Sequence, residues 1–495
     1  MPFGRTLRTT STALGGLALA ALISLSASPA AAADAPWTPP VEVVDSYGDP
    51  NATVVAPNGT ITTVAESALG VITASSANGG ATWGPSTILS ETDYAYRPAV
   101  AVTSTGLLAA TWVQSVSDVR SIQVSVSSDG GATWSTPVSL PTVTGDLDDP
   151  VIASTGTSAF LVVWNEGFVK RSSVSTDGGA TWSPSEIVTQ DMNSYGRASL
   201  APLGGNEISV VFQEFDGDSA RYSIKSRLST DGGATWGSTV LVGSDWPGAF
   251  GNGIYQYGVS PAEGTLVAVW SRGTADGDAL FASTSTDGGA TWSTDFSVGS
   301  PADQLRNFTV TAISATSVGV LWFDTAVEGM TLRYSTVAVG ASSAPAPVTI
   351  AVSPDFAFDR LPSFAPLGDV RVASWFEYLS EEEAAMYSSV SCDAGATWSD
   401  PLELASGDDV TEVNPQVVVS GGSFVAYWGQ EATGPTGRSL FTSTLTNPCG
   451  AVPPGPALAA TGAPIAPAAL TALTALTALL LGAGVLAVRR RSEAS

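Results

Sequence analysis

The chain has 495 residues, of which 45 are acidic, 19 basic and none histidine. The missing histidine excludes imidazole acid–base catalysis, histidine metal ligation and a Ser/His/Asp triad. A formal net charge of −26 argues against nucleic acid and anionic lipid as partners.

At the N-terminus, Arg5 and Arg8 precede the apolar run Ala13–Leu25 and the small-residue stretch Ala30–Ala33. That order is expected of a secretory signal peptide over residues 1–33, cut after Ala33. Setting aside Arg5, Arg8, Arg489, Arg490, Arg491 and Glu493 leaves 44 acids and 14 bases. Within this remainder, Ser127–Trp134 reads Ser-Ser-Asp-Gly-Gly-Ala-Thr-Trp. It recurs at Ser175–Trp182, Ser229–Trp236 and Ser285–Trp292. Altered copies stand at Ser76–Trp83, where Asn78 replaces the Asp, and at Ser391–Trp398, which contains Cys392 and Ala394. Paired glycines supply the positive φ of a tight turn. The Asp, Ser and Thr side chains can bond to the turn's own backbone. Locally the motif is a strand–turn–strand connection and not a site.

The motif tryptophans are 48 to 56 residues apart until one interval of 106, which is two units. The missing copy is expected at Ser335–Gly340, and a further eroded copy at Leu440–Cys449. Eight units of about fifty residues match the period of a propeller blade. In the second unit, four strands are expected at Pro98–Val102, Leu107–Trp112, Ile122–Ser127 and Pro137–Leu140, where apolar residues alternate with Ser and Thr. The eighth unit supplies only Gln416–Val419, Phe424–Trp428 and Ser439–Leu445. Trp37-Thr38-Pro39-Pro40-Val41 parallels Trp134-Ser135-Thr136-Pro137-Val138. The N-terminal strand is therefore expected to complete the last blade and leave no open sheet edge. The expected fold is all-β: one propeller over residues 34–449, with eight four-stranded blades (seven is the alternative) and a monomeric state.

Loops leading into the innermost strands should share one face with the ends of the second strands. Four arginines begin innermost strands: Arg97, Arg197, Arg306 and Arg360. Four acids end second strands: Glu166, Glu214, Asp324 and Glu377. Converging guanidinium groups suit a ligand carboxylate or sulfate, and Tyr96, Tyr195 and Tyr257 could stack on sugar rings. The alternative is that these arginines and acids pair with one another and hold blades together. Asp216, Asp218, Asp276 and Asp278 form two Asp-Gly-Asp turns that could take Ca²⁺ or be simply solvated; no other cofactor is expected.

Cys392 and Cys449, the only cysteines, are expected to form a disulfide in an exported chain. A Pro/Ala/Gly-rich linker follows over 450–464. It contains Leu458-Ala459-Ala460-Thr461-Gly462. Residues 465–488 form an uncharged apolar run long enough to span a bilayer, and residues 489–495 a basic tail.

The six Ser-x-Asp-x-Gly-x-Thr-Trp copies resemble the Asp-box, or BNR, repeat of sialidase-like β-propellers. That resemblance implies the propeller fold. It also brings in a sialidase site, in which three arginines hold a sugar carboxylate, a Tyr–Glu pair supplies the nucleophile and an Asp is acid/base. Arg360-Leu361-Pro362 resembles the family's Arg-Ile-Pro signature, and Arg97-Pro98 does so more faintly. Here the triplet lies in the seventh unit rather than before the first box, and no Tyr–Glu pair matches. The Leu-Ala-Ala-Thr-Gly pentapeptide, apolar run and basic tail resemble a Gram-positive cell-wall sorting signal. It implies sortase cleavage between Thr461 and Gly462 and covalent attachment to the wall; retention by the C-terminal span is the other reading. The functional expectation is an exported, surface-anchored binding module for glycans or surface polymers. A sialidase-like exo-glycosidase is the alternative.

Overall fold

Alternation of Val, Leu and Ala with Ser and Thr builds strands that pair in chain order into eight antiparallel sheets. The computed structural model describes residues 37–450, except 46–51, 91–93, 144–145, 190–193, 248–255, 260, 275–276, 300–304, 327–328, 355, 357–359, 381–382 and 433–436. The expected signal segment, the expected linker beyond Gly450, the pentapeptide 458–462, the apolar run and the basic tail lie outside the described residues. Among the described residues, no helix is long and apolar enough to cross a membrane.

Blade 1 spans 52–88. Blade 2 is built from Ala95–Val102, Leu108–Val116, Val119–Ser127 and Val138–Ser139, and blade 3 from Leu147–Ser154, Phe160–Glu166, Val169–Ser175 and Glu186–Ile187. Blade 4 has Ser194–Gly204, Glu207–Asp216, Arg221–Ser229 and Val240–Leu241, with Trp246–Pro247 added against its third strand. Blades 5, 6 and 7 span 256–297, 305–353 and 363–407. First strands of successive blades touch all the way round, and blade 8 touches blade 1. The fold is thus an eight-bladed β-propeller. Second-strand tryptophans pack into the sheet interfaces: Trp112, Trp164, Trp270, Trp375 and Trp428, of blades 2, 3, 5, 7 and 8, are fully buried.

Closure is made by the N-terminal strand. Val410–Ser420, Ser423–Glu431 and Arg438–Thr446 form three strands of blade 8, and Val41–Asp45 pairs antiparallel with the third of them. Thr38 N–H donates to Thr444 O at 2.9 Å. The Trp37 indole donates to Ser388 Oγ of blade 7 at 3.0 Å. Cys392 of blade 7 and Cys449, just after the third strand of blade 8, form a disulfide with Cα atoms 5.7 Å apart.

The boxes act as blade-to-blade clamps. In blade 2, Ser127 Oγ donates to Asp129 at 2.8 Å, and the Thr133 amide and hydroxyl donate to the same carboxylate at 2.9 and 2.6 Å. These bonds, Thr133's hydroxyl first, hold Asp129 down to about 2. The tight turn then lies on the preceding blade. At Gly131, with φ of 90°, a Cβ would stand 2.2 Å from Ser75 Oγ of blade 1. The indoles of Trp83, Trp236 and Trp292 each donate at 3.0 Å to a hydroxyl of the preceding blade.

Blade 6 shows how the box can be lost. Ser335 Oγ donates to Pro345 O as Ser389 Oγ does to Ser399 O in blade 7. The box positions therefore fall at 337–344, displaced from the expected 335–340. Val337, Val339 and Ala344 stand there and join an apolar core shared with blade 5. Apolar burial replaces the polar clamp.

Candidate functional site

The loops leading into the first strands and the turns between second and third strands lie on one face of the ring. Three adjacent first strands bulge where they enter their sheets: between Tyr96 and Ala99, Asp148 and Val151, and Tyr195 and Ser199. Each bulge places one residue in left-handed backbone: Arg97 (φ 53°), Asp149 (φ 49°) and Gly196 (φ 67°). Glycine adopts this freely. For Arg97 and Asp149 it stores strain of order 1–3 kcal/mol each, which surrounding contacts must offset. Bulges also re-aim side chains, and here they build one network across blades 2, 3 and 4.

Arg97 is its first member. Its backbone N–H donates to Glu66 Oε1 of blade 1 at 2.6 Å. Its guanidinium holds both aspartates of the next blade, Nε at 3.0 Å from Asp148 Oδ1 and Nη1 on Asp149. The side chain remains 52% exposed, so the fork is at the surface. Asp149 also accepts from Asn165 Nδ2 at 3.2 Å. Beneath it Lys170, fully buried, donates to Asn165 Oδ1 at 2.7 Å and to the carbonyl of Gly196 at 2.6 Å. Arg197 donates from Nη2 to Pro150 O at 3.1 Å.

Burial lowers Lys170 from near 10.5 to about 7, with Asp149 opposing the shift. Below pH 7 both folded and unfolded lysine are charged, and the burial cost is felt in full. Between about 7 and 10.5 the folded lysine is neutral while the unfolded one still binds a proton. Stability from this group therefore rises with pH across that window and is flat outside it. Lys170→Met removes the slope, so the melting-temperature gap between variant and wild type should shift in favour of wild type from pH 7 to 10. Parallel pH profiles would show instead that the folded lysine keeps its proton.

Two tyrosines border the network. Tyr96 packs on the blade 2–3 core. Burial raises its hydroxyl above the usual range, with Arg120 opposing and Asp148 assisting. Tyr94 stands edge-on to it, ring centroids 5.8 Å apart at 68°, and is 69% exposed. Arg120 pairs with Asp146 at 3.4 Å at the same rim.

The other expected site residues fall differently. The four arginines do not share one structural position. Arg97 lies in its bulge, Arg197 one residue beyond the left-handed glycine, and Arg306 ahead of its bulge, where its side chain lies outside the described residues. Arg360 is half-buried before blade 7, where Leu361 N–H donates to Asn414 Oδ1 at 2.7 Å. The four acids, expected beside the arginines, have partners within the sheets. Glu166 accepts from Arg171 at 2.8 Å and Asp324 from Arg333 at 2.6 Å, while Glu214 pairs with Lys225, each base lying on the third strand of the same blade. Glu377 accepts from the indole of buried Trp375 at 2.8 Å and from Ser353 at 2.9 Å. In blades 2, 7 and 8 the polar residue two beyond the second-strand tryptophan accepts from its indole: Gln114 from Trp112, Glu377 from Trp375 and Gln430 from Trp428. The side chains of Tyr195 and Tyr257 lie outside the described residues.

Asp216 accepts from Asp218 N–H at 3.0 Å and Ser219 Oγ at 2.6 Å, the bonds of a self-capped turn. Asp276 lies outside the described residues, and Asp278 sits on the third strand of blade 5. Among the described residues, no group of three or more Cys, Asp and Glu side chains gathers as a metal site. Sequence reasoning missed Tyr94 as a site residue, as well as Asp148, Asp149, Asn165 and Lys170. One signal was available: Lys170 is in phase with Ser172 and Val174 on an alternating strand, which places it on the buried side.

The geometry defines an eight-bladed propeller, clamped blade to blade by its repeated Ser-Asp-Thr turns, with a polar-aromatic cluster on one face. No protein-family model and no curated protein matches the chain. Among solved structures it is similar to the α-L-arabinofuranosidase Arb93A from Fusarium graminearum (18% identity, 60% of this chain and 97% of that one, TM-score 0.38). It is also similar to the NanB sialidase from Streptococcus pneumoniae (11% identity, 57% and 67%, TM-score 0.37) and to the polysaccharide lyase Uly1 (9% identity, 69% and 88%, TM-score 0.43). Likenesses this distant carry no argument about activity; the fold rests on the sheet topology above.

Proposed function

We propose that the chain is an exported, surface-anchored binding module for glycans or surface polymers. The observation that carries this is the exposed Tyr94 ring, braced edge-on by Tyr96, beside the Arg97–Asp148–Asp149 cluster. An exposed aromatic face next to a few fixed polar groups is the chemistry of saccharide recognition: the ring takes the C–H face of a sugar, and the polar groups take its hydroxyls. Two strained backbone positions hold that cluster. Export and anchoring rest on the signal segment and on the pentapeptide, apolar run and basic tail. A sialidase-like reaction would need free guanidinium forks, and the Arg97 fork already holds two carboxylates.

The test is a glycan array probed with the purified protein and with Tyr94→Ala. Binding to at least one glycan, weakened about tenfold or more by Tyr94→Ala at unchanged melting temperature, is the expected result. Absence of binding to every glycan would remove this function.

A further inference from the structure

We propose, resting on the binding-module reading, that the Tyr94–Arg97–Asp148 mouth takes a neutral saccharide and not a carboxylated or sulfated one. This replaces the ligand class that four converging arginines would have implied.

The first reason is charge. Among the described residues of this mouth, the guanidinium groups of Arg97, Arg120 and Arg197 and the buried ammonium group of Lys170 meet the carboxylates of Glu66, Asp146, Asp148 and Asp149, so no cation is in excess. Arg97 is bonded to Asp148 and Asp149, and Arg120 to Asp146. An anionic sugar would have to displace a carboxylate from its partner and then sit beside it. Two like charges at contact distance repel even in water. The chain as a whole, at −26, adds repulsion at longer range.

The second reason is hydrogen-bond complementarity. A sugar hydroxyl both donates and accepts. An exposed Arg–Asp pair offers donor N–H groups and acceptor oxygens side by side, which matches two adjacent hydroxyls without breaking the pair. Arg97 is 52% and Asp148 36% exposed, so both present unused edges to solvent. Asp149, at 14%, faces inward toward Asn165 and serves to fix the fork. The third reason is the exposed Tyr94 ring, which offers an apolar face and no charge.

The experiment measures binding of neutral oligosaccharides and of their uronate, sulfated and sialylated counterparts, by array and then by titration calorimetry. The proteins are wild type, Tyr94→Ala and Asp148→Asn. Neutral probes should bind at least tenfold more tightly than their anionic counterparts. Tyr94→Ala should lose at least tenfold, and Asp148→Asn should weaken neutral probes while narrowing the gap to anionic ones. Preferential binding of uronate, sulfated or sialylated probes would overturn the neutral assignment while leaving a glycan-binding function intact. Failure of both probe classes to bind would overturn both.

Discussion

Removing residues 37–45 should cost the propeller roughly 5 kcal/mol of unfolding free energy and make it aggregate. Val41–Asp45 is the outer strand of blade 8 although it begins the described chain. Val43 and Val44 are buried against Ile61, Ala65 and Ile72 of blade 1, so one short strand secures two blades. Burying a valine contributes about 1.5–3 kcal/mol, and half-buried Trp37 adds to this. The sum is comparable to the whole stability of an ordinary domain, about 5–15 kcal/mol. The deletion also bares the edge of Arg438–Thr446, a template for pairing with another chain. Urea unfolding with parallel light scattering checks this. A truncated protein with the urea midpoint and monodispersity of the intact one would contradict strand-mediated closure.

Replacing both cysteines by serine should cost about 4 kcal/mol. Cys392 and Cys449 are separated by 57 residues, and closing a loop of that length in the unfolded chain gives this figure by the chain-entropy estimate. The bridge ties blade 7 to the blade that the N-terminal strand completes, so its loss acts where ring opening would begin. The variant should unfold at markedly lower urea, and reducing agent should bring wild type to the same midpoint. Identical midpoints for oxidised and reduced protein would show that the strand alone closes the ring.

The fold was legible because its punctuation is chemical. The boxes place a Ser, an Asp (Asn78 in blade 1), two left-handed residues (glycines except Ala394 in blade 7) and a Thr at fixed offsets, and that pattern repeats at blade period. The structure adds why: the second glycine lies against the preceding blade, as at Gly131 on Ser75, and indoles such as Trp236 bond across the same seam. Closure was legible because Trp37–Val41 repeats the pattern of residues 134–138. Blade 6 was harder, since Val337 and Val339 perform by apolar packing what Ser and Asp do elsewhere.

The site was less legible because its geometry depends on register. Arg97, Arg197 and Arg306 look equivalent along the chain. The bulges differ by one or two residues from blade to blade, and a one-residue slip sends a side chain to the opposite face. The acids at second-strand ends were visible, but their use was not. Glu166, Glu214 and Asp324 are paired diagonally with third-strand bases, a relation fixed only once the hairpin register is known. Asp148 and Asp149 read along the chain as an ordinary acidic start to a strand. Their role emerges from Arg97 crossing the seam between blades 2 and 3.

Hydrogen–deuterium exchange with the best neutral oligosaccharide from the array tests the central claim most directly. The account predicts ligand-dependent protection confined to residues 94–99, 146–151 and their neighbours around Asn165 and Gly196. Protection centred on blades 5 to 7, or on the opposite face where first and second strands join, would contradict it.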